Sequence, residues 1–210
     1  MNYHAIDMNQ YERKAHFEYF KSMLNPYVGV TMNVDITGFY QRVRNDAHPF
    51  FLTFLYEAVW AANSVRQFRQ RIVNDAVVEF DFCGASHTVL RDNGAYAYCA
   101  LNCDMPLRAF LPYAAKMQDL TREQGDIEEG DESVGRFFIS SLPWLSYTSI
   151  TQPTPTPADS NPRITWGKYF EQAGKLIMPV TALVNHALAD GMHISRFFES
   201  LNQRLARTLD

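Results

Sequence analysis

The sequence predicts a mixed α/β domain, and three observations support this fold class. Apolar residues alternate at period two in some segments and recur at helical spacing in others, and the two kinds of segment are interspersed along the chain. The 210 residues are 47% hydrophobic and 14% aromatic, which is enough for a substantial core. The sequence has no evident internal repeat or domain linker, so we expect residues 1–210 to form one domain.

The first half of the chain alternates between helices and strands. Helical spacing of Phe17, Phe20 and Leu24 predicts a helix over residues 11–24. Residues 27–36 alternate cleanly and predict a strand, and Thr37 can cap a short helix that ends near residue 45. A strongly apolar helix is expected at residues 50–65. Short strands are then predicted at Val77–Phe82, His87–Arg91 and Tyr96–Asn102, with a hairpin turn at residues 92–94.

The second half continues this alternation. Apolar spacing predicts a helix from Leu107 to about residue 123, and the acidic residues 124–135 read as a solvated loop. Strands are expected at Arg136–Ser141 and Leu145–Ile150, and the proline-rich residues 151–163 read as an exposed connection. A helix around residues 164–171 is predicted to lead into a long strand at residues 175–184. The last predicted helix, about Met192 to Leu209, carries an apolar stripe that faces the core.

Charge and cysteine content exclude several functional classes. The net charge is −4 and the basic residues are dispersed, which argues against nucleic-acid binding. The sequence contains no apolar run of the ~20 residues that a membrane helix needs and no signal-peptide pattern, so we expect a cytoplasmic protein and no membrane partner. The odd number of cysteines argues against a disulfide framework, and we expect Cys83, Cys99 and Cys103 to be buried thiols rather than a metal site.

Residues 184–191, Val-Asn-His-Ala-Leu-Ala-Asp-Gly, carry the main chemical signal. A strand that ends in a histidine and turns into a helix holds the imidazole in one orientation, which a general base requires. The ordinary histidine pKa of about 6.5 leaves the ring largely neutral near pH 7. The alternative is a strand-end histidine beside a common Asp-Gly turn. The octet by itself leaves both interpretations open.

Five ordered segments resemble one known family, the chloramphenicol acetyltransferases, which are related in fold to dihydrolipoamide acyltransferases. The segments span nearly the whole chain and are Tyr11–Phe20, Val34–Thr37, Ile139–Trp144, Ile164–Tyr169 and Asn185–His193. The resemblance implies an α/β (α+β) two-layer sandwich, with a mixed β-sheet and helices packed on one face. It also implies a homotrimer whose active sites lie at subunit interfaces, with His186 from one subunit and much of the acceptor pocket from its neighbour.

The resemblance assigns the catalytic roles. His186 would be the base that takes the acceptor proton through Nε2, and Ser140 would donate to the oxyanion. Asp190 would pair with Arg13 to hold the loop in shape, rather than act in a catalytic triad with His186. The family usually has two successive histidines here, and Asn185 replaces the first. We expect this change to alter only local hydrogen bonding.

The same resemblance implies acetyl-CoA as co-substrate, no metal, and a small-molecule acceptor. The residues expected near CoA are Trp144 beside the pantetheine arm, Thr165 near an ordered water, Lys168 near phosphate charge and Tyr169 on the adenine. The residues expected in the acceptor pocket are Phe20, Leu24, Pro26, Val28, Tyr96, Tyr98 and Ile127. Several of these depart from familiar members of the family. Gln152 likewise falls where an apolar residue is common, which puts chloramphenicol itself in question as the acceptor.

Three hypotheses follow from the sequence. The first is an O-acetyltransferase that uses acetyl-CoA and acts on chloramphenicol or a similar hydroxylated acceptor, as in antibiotic resistance. The second keeps the reaction and changes the acceptor to another small alcohol or amine. The third is a trimeric binding protein of the same fold without turnover, motivated by Asn185 and the altered pocket.

Overall fold

A mixed β-sheet of seven strands forms the frame of the molecule. The computed structural model describes residues 2–127 and 130–207. In this part of the chain the strands are β1 (Tyr3–Ala5), β2 (Tyr27–Asp35), β3 (Gln70–Val73), β4 (Ala76–Phe80), β5 (Gly84–Leu90), β6 (Tyr96–Leu101), β7 (Arg136–Leu142), β8 (Arg163–Gly167), β9 (Phe170–Gln172) and β10 (Lys175–Asn185). The α-helices are α1 (Lys14–Phe20), α2 (Thr37–Asn45), α3 (Phe50–Asn63), α4 (Leu107–Gln124) and α5 (Gly191–Ala206).

The strand order of the large sheet is β2-β10-β8-β7-β5-β6, and β9 pairs with the start of β10. The neighbours β5 and β7, and β7 and β8, run parallel, whereas β10 is antiparallel to β2, β8 and β9, and β5 is antiparallel to β6. Strands β1, β4 and β3 form a separate antiparallel sheet. The mixed sheet that the resemblance implied is therefore confirmed.

Helices α2 to α5 cover one face of the large sheet. Alternate residues of β10, namely Met178, Val180, Ala182 and Val184, are at most 1% exposed and join the same core as Phe197 and Leu201 of α5. Burial of this apolar face is the main favourable term in folding. The opposite face, called the outer face below, carries Phe138, Ser140, Thr165 and Thr181. This arrangement confirms the two-layer fold class, with helices packed on one face.

A smaller cluster lies beside the main core and supports the end of β10. Phe17 of α1 is fully buried there against Tyr11, Val77, Ala187 and Leu188. Two of these residues, Ala187 and Leu188, belong to the turn that follows His186. The turn is thus packed on its apolar side by α1 and by the small sheet.

Two predicted elements in the second half are wrong. The helix expected at residues 164–171 is the strand pair β8 and β9, because all five residues of β8 are buried between neighbouring strands. The strand expected at Leu145–Ile150 is an irregular segment, since β8 already occupies the sheet position next to β7. The residues from 143 to 162 instead cross the outer face.

Smaller differences concern element ends. Helix α1 begins at Lys14 and ends at Phe20, and Leu24, placed in the predicted helix, lies beyond it with 92% of its surface exposed. Asn25 and Pro26 follow, and a proline disfavours helical backbone at the residue before it. Strands β1 and β3 were not predicted. Residues 128–129 of the acidic loop and 208–210 of the predicted last helix lie outside the described residues.

All three cysteines are buried free thiols, as the sequence led us to expect. Within residues 2–127 and 130–207, side chains of the metal-ligating types do not gather in a group of three or more. In the same ranges, every helix is too short or too polar to span a bilayer.

Candidate active site

The turn between β10 and α5 holds His186 in a defined pose. The imidazole is half-buried, and its ring stacks on Phe20 with centroids 4.0 Å apart and planes 10° from parallel. The backbone N–H of His186 donates to the carbonyl of Pro26 at 2.7 Å. The histidine is therefore fixed both through its main chain and through its ring.

The hydrogen bond of Nδ1 determines which ring nitrogen can act as a base. Nδ1 of His186 lies 3.1 Å from the carbonyl oxygen of Ala189. A carbonyl oxygen only accepts, so Nδ1 carries the proton of the neutral ring. Nε2 is left with its lone pair, as proton abstraction from an acceptor requires.

Asp190 supports the turn. It does not bond Nδ1 of His186, whose partner is the Ala189 carbonyl. Its Oδ2 accepts from Arg13 Nη1 at 2.7 Å, and its Oδ1 accepts from the Met192 N–H at 3.0 Å, which caps α5. His193 Nδ1 lies 2.8 Å from the same Oδ1. Burial alone would raise the pKa of Asp190, but the hydrogen bond and charge of Arg13 and the nearby His193 outweigh it and lower the pKa to about 2.

Asn185 ties the turn to the proline-rich segment. Its Oδ1 accepts from the Ala187 N–H at 3.0 Å, and its Nδ2 donates to the carbonyl of Asp159 at 2.9 Å. The Asp159 carboxylate is in turn held by two hydrogen bonds from Arg163, at 2.7 and 2.8 Å. The amide that replaces the usual histidine therefore has both ends occupied in holding the turn.

A groove of about 690 Å³ lies on the outer face, over β5, β6 and β7. It is bounded by sequence-predicted site residues and by polar side chains that the sequence analysis did not assign. The predicted residues in its lining are Tyr96, Tyr98, Ile127, Ser140 and Trp144. The additional polar residues are Ser86, Thr88, Ser141, Gln152 and Arg163. The size is within the range of small-molecule sites.

Four hydroxyls form a row across the outer face of the sheet. Ser140 is in register with Thr165, Thr165 with Thr181, and Thr181 with Thr31, whose Oγ1 lies 2.7 Å from that of Thr181. Thr165 is 1% exposed, and its Oγ1 accepts from Nε2 of Gln152 at 2.5 Å. Ser140 is the member of the row that opens into the groove.

The residues expected near CoA lie at the edges of this region. Trp144 is 68% exposed in the groove lining. The backbone N–H of Lys168 donates to the Leu145 carbonyl at 2.7 Å, and the Lys168 side chain is exposed. The hydroxyl of Tyr169 lies 3.3 Å from that of Tyr40. Lys168 and Tyr169 lie between β8 and β9, and the Tyr169 ring packs against Tyr40 and Phe50 of the helical layer and not in the groove lining.

Within one chain, the predicted site residues lie in two separate places. His186 lies five positions beyond Thr181 on β10, roughly 16 Å along a strand that rises ~3.3 Å per residue. The His186 half-site contains His186 with Phe20, Leu24, Pro26 and Val28 of the segment from α1 to β2. The Ser140 half-site contains Ser140, Trp144, Tyr96, Tyr98 and Ile127. The acceptor-pocket residues that the sequence grouped together are thus divided between the two.

The comparisons with known proteins agree with this architecture. The sequence model of the chloramphenicol acetyltransferase family matches residues 1–202. The chain belongs to the chloramphenicol acetyltransferase family. Chloramphenicol acetyltransferase 3 of Escherichia coli is 26% identical over 207 residues, which cover 97% of each chain. A chloramphenicol acetyltransferase of Klebsiella sp is 29% identical over 212 residues, covering 96% of this chain and 93% of that one.

Solved structures give the same result. A chloramphenicol acetyltransferase matches with a TM-score of 0.89 at 29% identity, over 97% of this chain and 100% of that one. The dihydrolipoamide acetyltransferase of Azotobacter vinelandii shares the fold, with a TM-score of 0.70 at 19% identity over 91% of this chain and 86% of that one. Family membership makes this chain a CoA-dependent acyltransferase.

Sequence reasoning missed the roles of two groove residues. Gln152 was noted only as a polar residue where an apolar one is common, and its bond to Thr165 was not foreseen. Arg163 was not assigned at all, although it is 8% exposed and lies over the rings of Tyr27 and Phe138. A polar residue in an otherwise apolar pocket was the available signal for both.

Proposed function

We propose that the protein transfers the acetyl group of acetyl-CoA to a hydroxyl of chloramphenicol or a similar small acceptor. The observation that carries the proposal is the bond from His186 Nδ1 to the Ala189 carbonyl, which leaves Nε2 as a free base. The relatives that are named chloramphenicol acetyltransferases support the choice of acceptor. They align over nearly the whole chain.

The proposed reaction has two steps. His186 Nε2 takes the acceptor hydroxyl proton as the oxygen attacks the thioester carbonyl carbon, and the carbonyl electron pair moves onto oxygen. The tetrahedral intermediate then re-forms its C=O bond and breaks the C–S bond, and the imidazolium returns its proton to the departing sulfur. A positioned base of this kind typically contributes about 10²–10⁴-fold to the rate.

Ser140 is the proposed donor to the oxyanion. Its hydroxyl stands in the groove on β7, held by pairing with β8 and at the open end of the hydroxyl row. One such donor typically contributes about 10²–10³-fold. Trp144, Lys168 and Tyr169 would line the path of CoA away from this point, and Thr165 lies behind it.

The working enzyme is proposed to be a homotrimer. Within one chain the base and the oxyanion donor lie on different parts of the sheet, so a complete site needs a second copy. Exposed apolar residues lie on the segment before β2 and along β2, as an interface requires: Leu24 is 92%, Val30 38% and Met32 42% exposed. A cyclic assembly would bring the His186 half-site of one protomer to the Ser140 half-site of the next.

Thiol release from acetyl-CoA in the presence of chloramphenicol tests the proposal, with the O-acetyl product identified by mass. We expect saturable release by the wild-type protein. His186→Ala should lower kcat by at least about 10²-fold without loss of folding. His4→Ala, which removes an exposed histidine of β1, is the control and should retain activity. Near-normal turnover by His186→Ala would show that another group is the base.

A different acceptor is the second candidate, because several polar side chains interrupt the largely apolar lining of the groove. Gln152, Arg163, Ser86 and Thr88 all contribute to its lining. A site built around such groups favours acceptors with several hydrogen-bonding groups over apolar ones. Thiol release over a panel of small alcohols and amines distinguishes the two candidates. A higher kcat/KM for a polar acceptor than for chloramphenicol would favour the second.

A further inference from the structure

We propose that the side-chain amide of Gln152 is a second donor to the oxyanion, acting beside the Ser140 hydroxyl. The proposal rests on the proposed acetyl transfer and adds a catalytic group to it. Gln152 is the residue that stands where an apolar side chain was expected. Its amide nitrogen supplies a hydrogen-bond donor that an apolar side chain at this position would lack.

The sheet register brings Gln152 close to Ser140. Nε2 of Gln152 is 2.5 Å from Oγ1 of Thr165, and Thr165 is the register partner of Ser140 on the adjacent strand. Paired residues of neighbouring strands project from the same face and lie about 4.8 Å apart. Both Ser140 and Gln152 line the groove, so the two donors border the same space.

The spacing suits one shared acceptor. Two donors that each lie 2.7–3.1 Å from one oxyanion are separated by at most about 6 Å. One strand spacing of about 4.8 Å and the 2.5 Å Gln152–Thr165 bond add to about 7 Å when the three groups lie in a straight line, so a shared oxyanion requires Nε2 of Gln152 to lean from Thr165 toward Ser140. An oxygen that carries developing charge accepts two hydrogen bonds readily.

The amide has a hydrogen left to give. Nε2 carries two hydrogens, of which Thr165 accepts one. The other end of the amide, Oε1, is buried and has no hydrogen-bond partner among the residues that the structure describes. Because Oε1 is buried and Gln152 lines the groove, the proposal places the donor end of the amide toward the groove, since a carbonyl oxygen turned toward it would repel an oxyanion.

The segment that bears Gln152 is anchored. The Tyr147 hydroxyl donates to the Thr165 carbonyl at 2.9 Å and accepts from Thr181 Oγ1 at 3.2 Å. Pro153 follows Gln152 and lines the groove as well. A donor aids catalysis only when it is in place before the charge develops, and these contacts hold it there.

Two substitutions test the role. Gln152→Met keeps the length of the side chain and removes the donor, and we expect kcat to fall about tenfold or more with KM for acetyl-CoA changed less than about threefold. Gln152→Glu keeps the shape, puts acceptor oxygens in place of the amide, and should lower kcat further. Gln203→Met, an exposed position on α5, is the matched control and should be neutral.

Steady-state kinetics and thermal unfolding are measured on each variant, with chloramphenicol and also with water as the acceptor. A kcat for Gln152→Met within twofold of wild type overturns the inference, as does a change confined to KM. If Gln152→Met does not fold, Gln152→Glu decides by the same criterion.

The hydrolysis reaction separates this inference from the proposed function. Both reactions pass through the same oxyanion. Hydrolysis that depends on Gln152, without chloramphenicol turnover, supports the inference and overturns the proposed acceptor. Chloramphenicol turnover that does not depend on Gln152 overturns the inference alone. Thiol release in neither reaction overturns both.

Discussion

His186 is oriented by three contacts that come from different parts of the chain. The Ala189 carbonyl is local, whereas Phe20 and Pro26 belong to the segment between α1 and β2. A ring held at one nitrogen and across one face has little freedom to rotate. We therefore expect loss of the stack on Phe20 to affect the proposed reaction more than the stability of the fold.

Replacing Phe20 by leucine removes the stacked ring and keeps an apolar side chain. We expect kcat/KM to fall about tenfold, because small misplacements of a catalytic group are costly. The midpoint of thermal unfolding should change little, since Phe20 is only half-buried. Tyr3→Leu, at an aromatic residue that is 56% exposed in β1, is the control. Unchanged kcat/KM in folded Phe20→Leu would show that the stack does not orient the base.

The Arg13–Asp190 pair predicts a specific pH dependence. Asp190 has a pKa of about 2 in the folded protein, against an ordinary value of 3.8. A lowered carboxyl pKa stabilises the fold above the ordinary value, and that contribution is lost as the pH falls toward 2. The full shift corresponds to about 2 kcal/mol, which partial exposure of the carboxylate reduces to about 1 kcal/mol.

Asp190→Asn should therefore unfold more easily than wild type at pH 7, by about 1 kcal/mol. The difference should shrink as the pH is lowered from 5 toward 3. Urea unfolding of both proteins across this range measures it. A difference that stays constant with pH would mean that the carboxylate charge does not stabilise the turn.

At the scale of single residues, the sequence was enough to propose roles for the site residues but not to predict their hydrogen bonds. The expected Arg13–Asp190 pair is present at 2.7 Å. The bond from His186 to Ala189 depends on the tight turn after β10, and the bond from Gln152 to Thr165 joins an irregular segment to a strand. Neither geometry follows from residue spacing. The catalytic assignments themselves remain predictions for the variants to test.

At the scale of elements, strong periodicity was a reliable guide and short buried strands were not. The expected strand at residues 27–36 and the last helix are present as β2 and α5, because each has one apolar face. Strand β8 is buried on both faces, so its apolar content has no clear period of two, and it was predicted as helix. Strands β1 and β3 are only three and four residues long.

Gly167 at the end of β8 allows the close approach of the segment that was predicted to be a strand. A Cβ there would lie 2.6 Å from the Leu145 carbonyl oxygen and 2.9 Å from ring carbons of Tyr147. Gly167→Ala should therefore destabilise the fold by about 1–3 kcal/mol and lower kcat, since residues 145–152 must shift away from the groove.

Gly130→Ala is the matched control for this substitution. Among the residues that the structure describes, a Cβ at Gly130 meets no atom within 4 Å, so the alanine should be neutral. Chemical unfolding and thiol-release kinetics are measured on both variants. Equal stability and activity of the two would contradict the view that close packing of residues 145–147 on β8 shapes the groove.

At the scale of the molecule, the sheet separates the two halves of the site. The His186 half-site lies where β10 ends beside β2, and the Ser140 half-site lies on β7, two strands away and in register with the middle of β10. Both halves are open: Leu24 is 92% exposed and Trp144 68%. In a protomer built this way, His186 and Ser140, the proposed base and donor, lie in different places, and assembly would unite them.

Mixing two inactive variants tests this arrangement directly. His186→Ala keeps an intact Ser140 half-site, and Ser140→Ala keeps an intact His186 half-site. In a cyclic assembly each site takes its base from one protomer and its donor from the next. Random co-assembly of equal amounts would then make about a quarter of the sites complete, since half of the protomers supply each intact half.

Co-refolded mixtures of the two variants should therefore regain up to about a quarter of wild-type kcat. Each variant refolded alone should stay at its low level, and mixing without refolding should give less recovery than co-refolding. Exchange of protomers is verified with differently tagged copies. Co-assembled mixtures that regain no activity would mean that each protomer carries its own base and oxyanion donor to one site, and the inference of a shared interface would be wrong.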